Sequence, residues 1–244
     1  MLLYRRMKFS QFKEKFKDYF KEVIYGGIDG IVTTFAVVSG FAGAALSTDA
    51  ATTLTFATVL LFGLANLFAD AASMGLGNYL SVRSEKDLYS SVRKKEESGI
   101  AASPENEKQQ TISILMEKGF SAEDAGVLAN TYSHNKEYWL DFMMQHKQEQ
   151  SDPRGENEIM TGFTTFLSFM VFGSIPLLPF ILQESGDPKL VFMYSCIGTF
   201  FALVALGILK WRVIGDKLKA SLIEVVLVGG TAAVLAYFVG TFVA

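Results

Sequence analysis

Five apolar segments, at roughly 24–47, 52–80, 160–183, 189–210 and 220–243, constrain this chain more than any other feature. A membrane-spanning helix needs about 20 mostly apolar residues, and each segment meets that length. With no water in hydrocarbon to satisfy backbone polar groups, each segment is expected to be a helix. Composition agrees: half the residues are hydrophobic and 21 of them are Phe. The net charge of −3 gives no footing for a nucleic-acid partner. A single cysteine, Cys196, lies in an apolar run and reads as packing. The N-terminus opens on a long charged stretch rather than a short basic region and apolar core, so no cleavable signal peptide is expected.

Loop charges orient the array. Arg5, Arg6, Lys8, Lys13, Lys15, Lys17 and Lys21 precede the first span, and Lys210, Arg212, Lys217 and Lys219 fall between the last two. The stretch from Arg83 to Arg154 is rich in Lys and Arg, whereas Thr48–Ala51 has none and Gln183–Leu190 only Lys189. The positive-inside rule then puts the N-terminus and the 83–158 insert in the cytoplasm and the C-terminus outside. The expected fold is all-α: a polytopic membrane protein of five spans with a small cytoplasmic helical insert between spans two and three. Its parts are an N-terminal segment 1–23, spans one and two over 24–82, the insert 83–158, and spans three to five over 159–244. Pro176 and Pro179 in GSIPLLPF predict a kinked or broken third span whose freed carbonyls need other partners.

Two soluble pieces remain. Phe9, Phe12, Phe16, Phe20 and Val23 recur at spacings of three and four among lysines, which predicts an amphipathic helix over 9–23 in the membrane interface. The insert reads as three helices: an extension of span two, a helix through about Lys118, and one over about 134–149 with Trp139, Leu140 and Met143 on one face. Between the last two, Ser121 with Asp124 resembles a capping box that opens a short helical turn or helix. Met143 and Met144 are adjacent, so one of the two thioethers is expected to be exposed. Arg93-Lys94-Lys95 reads as a solvated basic face near the inner leaflet, and His134 and His146 as ordinary surface histidines.

Chemistry concentrates in the second span. Within GLANLFADAASMGLGNYLSV, Asn66, Asp70, Met74 and Asn78 recur every fourth position, which places them on one helical stripe. Polar groups inside a spanning helix are expensive, so they face a pathway or a partner helix. Oxygen donors joined by a thioether favour Fe(II), Mn(II), Co(II) or Cu(I) over the hardest ions. The competing reading is a helix–helix seam, because Gly63, Ala69, Ala71, Ala72, Ser73, Gly75 and Gly77 permit close approach. In the first span Asp29 stands among Gly26, Gly27 and Gly30, with Thr33 one turn on. A carboxyl there alternates between holding a proton and holding a cation, or serves as a buried hydrogen-bond partner. Glu224, at the start of span five, reads as structural.

YGGIDGIVTTFAVVSGFAGA, SMGLGNYLSVRSEKDLY, WLDFMM, IPLLPF and LIEVVLVGGTAAVLAYFVG together resemble the vacuolar iron transporter family over nearly the whole chain. That resemblance implies a homodimer of five-helix protomers in a lipid bilayer. Its first helices line a path by which divalent iron leaves the cytosol in exchange for protons, with Mn2+ or Co2+ as other candidate ions and no prosthetic group. Asp29 and Met74 match the family's spanning ligands, and Asn66 stands where many members carry Glu. Asp70, one turn nearer Met74, is our own candidate to restore that charge. In the insert, Glu96, Glu107, Met143 and Met144 match the family's ligand set, whereas Gly99, Gln110 and Lys147 fall where carboxylates are expected. The insert is therefore expected to bind metal weakly and to modulate rate. The alternative function is a membrane-tethered ferritin-like iron-binding or oxidising protein, but the paired Glu-x-x-His helices of a di-iron site are missing from the sequence. The short ends suggest a prokaryotic plasma membrane.

Overall fold

The structure, a computed structural model, describes residues 18–47, 56–182, 187–215 and 217–243. The amphipathic helix expected over 9–23 lies mostly outside these residues, as does the Thr48–Ala51 loop; Phe20 and Val23 already belong to the first span. Among the described residues all regular structure is helical: α1 Phe20–Ser47, α2 Phe56–Ala102, α3 Pro104–Glu117, α4 Ala122–Ser133, α5 Lys136–His146, α6 Glu158–Gly173, α7 Leu178–Leu182, α8 Pro188–Ile214 and α9 Leu218–Val243. Two compact units result. One holds the described residues up to Tyr79 and again from Glu158; the other is Leu80–Asn157.

Among the described residues, five helical stretches are long and apolar enough to cross a membrane: Phe20–Gly43, Ala57–Ala102, Glu158–Leu182, Lys189–Ile214 and Leu218–Phe242. They correspond one to one with the five apolar segments. Phe35, Val38, Val59, Leu67, Ala71, Phe169 and Leu177 form one core between α1, α2 and the third span. Ile31, Ala202, Leu203, Leu206 and Val225 form a second between α1, α8 and α9. Side-chain-free crossings set the spacing. A Cβ built on Gly30 of α1 would stand 2.5 Å from the Phe169 carbonyl oxygen of α6, and one on Gly162 of α6 only 2.5 Å from the Gly75 oxygen of α2. Such contacts let backbones approach closely where lipid offers no hydrophobic drive for helices to associate.

The third span breaks where its prolines predict. α6 ends at Gly173, a 3-10 turn covers Ile175–Leu177, and the short α7 follows. At the break the buried Ser195 hydroxyl of α8 donates to the Pro176 carbonyl oxygen at 2.7 Å.

The insert is more thoroughly helical than its sequence suggests. The Ser121 oxygen accepts from the Asp124 backbone N–H at 3.1 Å and its hydroxyl donates to the Asp124 carboxylate at 2.6 Å, opening a full 12-residue α4 rather than a single turn. Asn135 caps α5 by accepting from the Tyr138 N–H at 3.2 Å, so that helix starts later and ends sooner than 134–149. Two expectations are corrected. Met143 and Met144 are both 0% exposed. α5 presents a wide apolar arc of Trp139, Leu140, Phe142, Met143 and Met144, and Tyr89, Ile100, Leu115 and Ala125 from α2, α3 and α4 enclose it. Adjacent side chains about 100° apart both fit inside such an arc. Arg93, for its part, is not on a solvated face: its guanidinium pairs with Glu137 and Asp141 of α5.

Candidate metal path and insert cluster

Burial along α2 resolves the polar stripe. Leu67, Ala71 and Gly75 are buried, Ala65, Ala69, Ser73 and Gly77 are exposed, and Asn66, Asp70, Met74 and Asn78 are half-buried between them. The stripe therefore runs along the edge of the packed seam, beside an open face of small residues. Within it the Asn66 amide donates to the Asp70 carboxylate at 2.8 Å, so these two are one unit. Asn78 turns away from that unit and donates to the Thr165 hydroxyl of α6 at 2.7 Å. Met74 is half-buried against the α1–α2–α6 core.

Asp29 on α1 is also half-buried. The Thr33 hydroxyl is spent on the Asp29 backbone carbonyl at 2.8 Å, leaving the carboxylate to the space around it. Asp29 lines a cleft of about 540 Å³ with Lys21, Tyr25, Val32 and Lys210. Asn66 lines another of about 660 Å³ with Val37, Gly40, Phe41, Phe62 and Ala69. The structure thus pairs Asn66 with Asp70 and sets Asp29 in a separate cleft. Glu224 pairs with Lys210, tying α9 to α8, which agrees with its structural reading.

In the insert, Glu96 and Glu107 are 5% and 6% exposed, and their carboxylates converge on one ammonium. Lys147 Nζ donates to Glu96 Oε1 at 2.8 Å and to Glu107 Oε2 at 2.7 Å. Gln148 Nε2 takes the second Glu96 oxygen at 2.8 Å. A Cβ at Gly99 would lie 3.4 Å from the remaining Glu107 oxygen, so position 99 borders the same spot. The Thr111 hydroxyl accepts from Trp139 Nε1 at 2.8 Å and donates to the Glu107 carbonyl at 2.8 Å; Met143 Sδ lies 3.4 Å from it. Burial pulls the Lys147 ammonium toward a lower pKa, but its hydrogen bonds and charge pairing with Glu107 and Glu96 outweigh that and leave it raised. Lys147 also closes α5, its N–H bonding the Met143 carbonyl at 2.9 Å, where a positive charge suits the helix dipole. The sequence flagged Lys147 only as a departure from a pattern, gave Trp139 only as part of an apolar face, and did not single out Gln148 or Thr111. The spacing Met143–Lys147, one turn along α5, was the available signal.

The histidines behave as surface groups. His134 Nδ1 lies 2.7 Å from the Asn130 carbonyl. His146 packs edge-on against Phe142, and its partial burial, with Lys118 nearby, lowers its pKa. Among the described residues no three His, Cys, Asp or Glu side chains converge.

The chain is similar to known proteins over nearly all of this architecture. The VIT family profile matches residues 20–241. The vacuolar iron transporter of Toxoplasma gondii is 35% identical over 233 residues, 92% of this chain and 74% of that protein. Vacuolar iron transporter 1 of Arabidopsis thaliana is 32% identical over 217 residues, 89% of this chain and 83% of its own. The vacuolar iron transporter of Plasmodium falciparum is 34% identical over 231 residues, 92% of this chain and 82% of its own. These parasite and plant relatives lend no support to a prokaryotic plasma membrane. The profile begins with the first residue of α1 and ends within α9, so that both units fall inside it: the chain belongs to the VIT family.

Proposed function

We propose that this multi-pass membrane protein is a transporter that moves Fe2+ out of the cytoplasm in exchange for protons. The observation that carries this reading is a half-buried Asp29 on α1 and a hydrogen-bonded, half-buried Asn66–Asp70 pair on α2, all within spanning helices. Two carboxylates at membrane depth are costly without a cation or a proton, so each state in which the metal leaves favours protonation. Asp29, Asp70, the Asn66 carbonyl and Met74 supply oxygen donors and one thioether, a set that suits Fe2+ and Mn2+. Iron enters the proposal through the names of the relatives. Exchange also suits the energetics. Moving a charge against ~100 mV costs about 2.3 kcal/mol, and two protons returning per divalent ion cancel that term. The ferritin-like alternative is not favoured, since the relatives are named as transporters.

The direct assay is Fe2+ flux, with Mn2+ and Co2+ as competitors, into sealed proteoliposomes carrying an imposed pH gradient. Uptake that ignores the gradient would reject proton exchange. Asp70→Asn is expected to reduce flux strongly, because Asp70 supplies the charge that Asn66 lacks. Asn66→Glu in the Asp70→Asn background is expected to restore it. Undiminished flux in Asp70→Asn would take that residue out of the path.

The functional unit in this reading is a homodimer that meets on the open face of α1 and α2. Small residues Ala65, Ala69, Ser73 and Gly77 are exposed there, next to polar groups that need a shared interior. Cysteines placed at Val37 or Phe41, half-buried beside the Asn66 cleft, are expected to cross-link into dimers in native membranes. Exclusive recovery of monomers, under conditions that trap a known dimer, would count against it.

A further inference from the structure

We propose that Lys147 is the insert's permanent cation, so that the insert assembles and stays assembled without metal. Three of the four carboxylate oxygens of Glu96 and Glu107 accept hydrogen bonds from Lys147 and Gln148, at 2.7–2.8 Å. Both carboxylates are nine-tenths buried or more, and buried charges persist only when paired and hydrogen-bonded. The ammonium is held from behind by the end of α5, where the Lys147 and Gln148 N–H groups both bond the Met143 carbonyl. A divalent ion at this spot would have to displace an ammonium that is already bonded to both carboxylates. Gly99, bordering the cluster, offers no replacement ligand. The thioethers are committed too: Met143 packs at the Thr111 hydroxyl, and Met144 is sealed in the same core. Ammonium and carboxylates thus tie the end of α5 to α2 and α3 as a metal would, at fixed occupancy. The insert does not report cytosolic metal supply.

The full-length protein in detergent provides the test. The Trp211→Phe background leaves Trp139, inside the insert core and bonded to Thr111, as the sole indole reporter. Insert unfolding is followed by Trp139 fluorescence, and hydrogen exchange of residues 96–111 and 139–148 gives a second local measure. In the otherwise unaltered protein, excess EDTA and millimolar Mn2+ are expected to give the same transition and the same exchange. Lys147→Met leaves two buried carboxylates unpaired, which should lower the transition in EDTA by at least about 10 °C. Mn2+ should recover it, with at least about tenfold higher affinity at the insert than in the unaltered protein. Recovery should vanish when Glu96→Gln and Glu107→Gln are added. Lys147→Arg keeps a cation and should retain both the transition and its indifference to Mn2+. The proposal is overturned if Mn2+ raises the unaltered insert's transition in a way that Glu96→Gln/Glu107→Gln abolishes. It is equally overturned if Lys147→Met is as stable as the parent in EDTA, if Mn2+ does not restore Lys147→Met, or if Lys147→Arg loses the insert.

Discussion

Asp29→Asn is expected to reduce proton-coupled metal flux to the level of protein-free liposomes while the protein still purifies as a folded species. The amide keeps the shape and the half-buried position of the carboxyl. It also leaves untouched the Thr33 hydrogen bond, which goes to the Asp29 backbone carbonyl and not to the side chain. What disappears is the capacity to trade a proton for a cation, on which antiport depends. With Asp29 neutral, Asp70 is the one carboxylate left in the proposed donor set. Asp29→Glu is expected to retain part of the flux, since it keeps the ionisable group at a longer reach. Asp87→Asn, on the exposed surface of the insert, is expected to retain all of it. Iron or manganese uptake driven by an imposed pH gradient is the measurement, with size-exclusion behaviour as the check on folding. Asp29→Asn flux equal to that of the unaltered protein would remove Asp29 from the path.

The spanning architecture was legible because hydrocarbon imposes a length and a polarity that few other environments demand. The break at Pro176 was legible for the same kind of reason, since a proline lacks the N–H that a helix interior needs whatever surrounds it. The four-residue period of Asn66, Asp70, Met74 and Asn78 correctly marked one stripe. It did not distinguish Asp70, bonded along its own helix, from Asn78, which bonds Thr165 some 87 residues away in sequence. That difference depends on which neighbour α6 presents at each turn, and no local spacing encodes it.

The insert was less legible because its helices have few intrinsic signals and owe their positions to a shared core. α4 read as a short helical turn or helix, with only its cap as a signal, yet Ala125 and Ala129 are buried along its length and Ala125 joins the insert core. The two methionines illustrate a wrong inference from a correct premise. Adjacent residues do point about 100° apart, but α5 is enclosed over a wider arc than that. Lys147 was visible as a departure from a family pattern. Its role required the fold, because Glu96 and Glu107 lie 51 and 40 residues before it.

Two glycine substitutions with the same local chemistry should have opposite signs. In a helix interior Ala is favoured over Gly by about 1 kcal/mol, through the smaller backbone entropy it loses on folding. At Gly126 in α4 nothing lies within 4 Å of the methyl that alanine would add, so Gly126→Ala is expected to stabilise the insert by up to about 1 kcal/mol. At Gly30 in α1 the same methyl would meet the Phe169 carbonyl oxygen at 2.5 Å and the Phe169 Cα at 3.0 Å. Those are backbone atoms of α6, which cannot swing aside as a side-chain tip would, so the two helices must separate. Separation opens the contact on which Gly173 also depends, whose own Cβ position lies 2.8 Å from the Gly30 oxygen. Overpacking of this kind costs roughly 1–3 kcal/mol or more and outweighs the propensity gain. Gly30→Ala is therefore expected to destabilise the membrane unit by a few kcal/mol and to lower its thermal transition in detergent. Because Asp29 is the neighbouring residue, flux should fall with it. A Gly30→Ala protein as stable as its parent would mean that α1 and α6 do not cross at backbone contact, and with that the placement of Asp29 would have to be rebuilt.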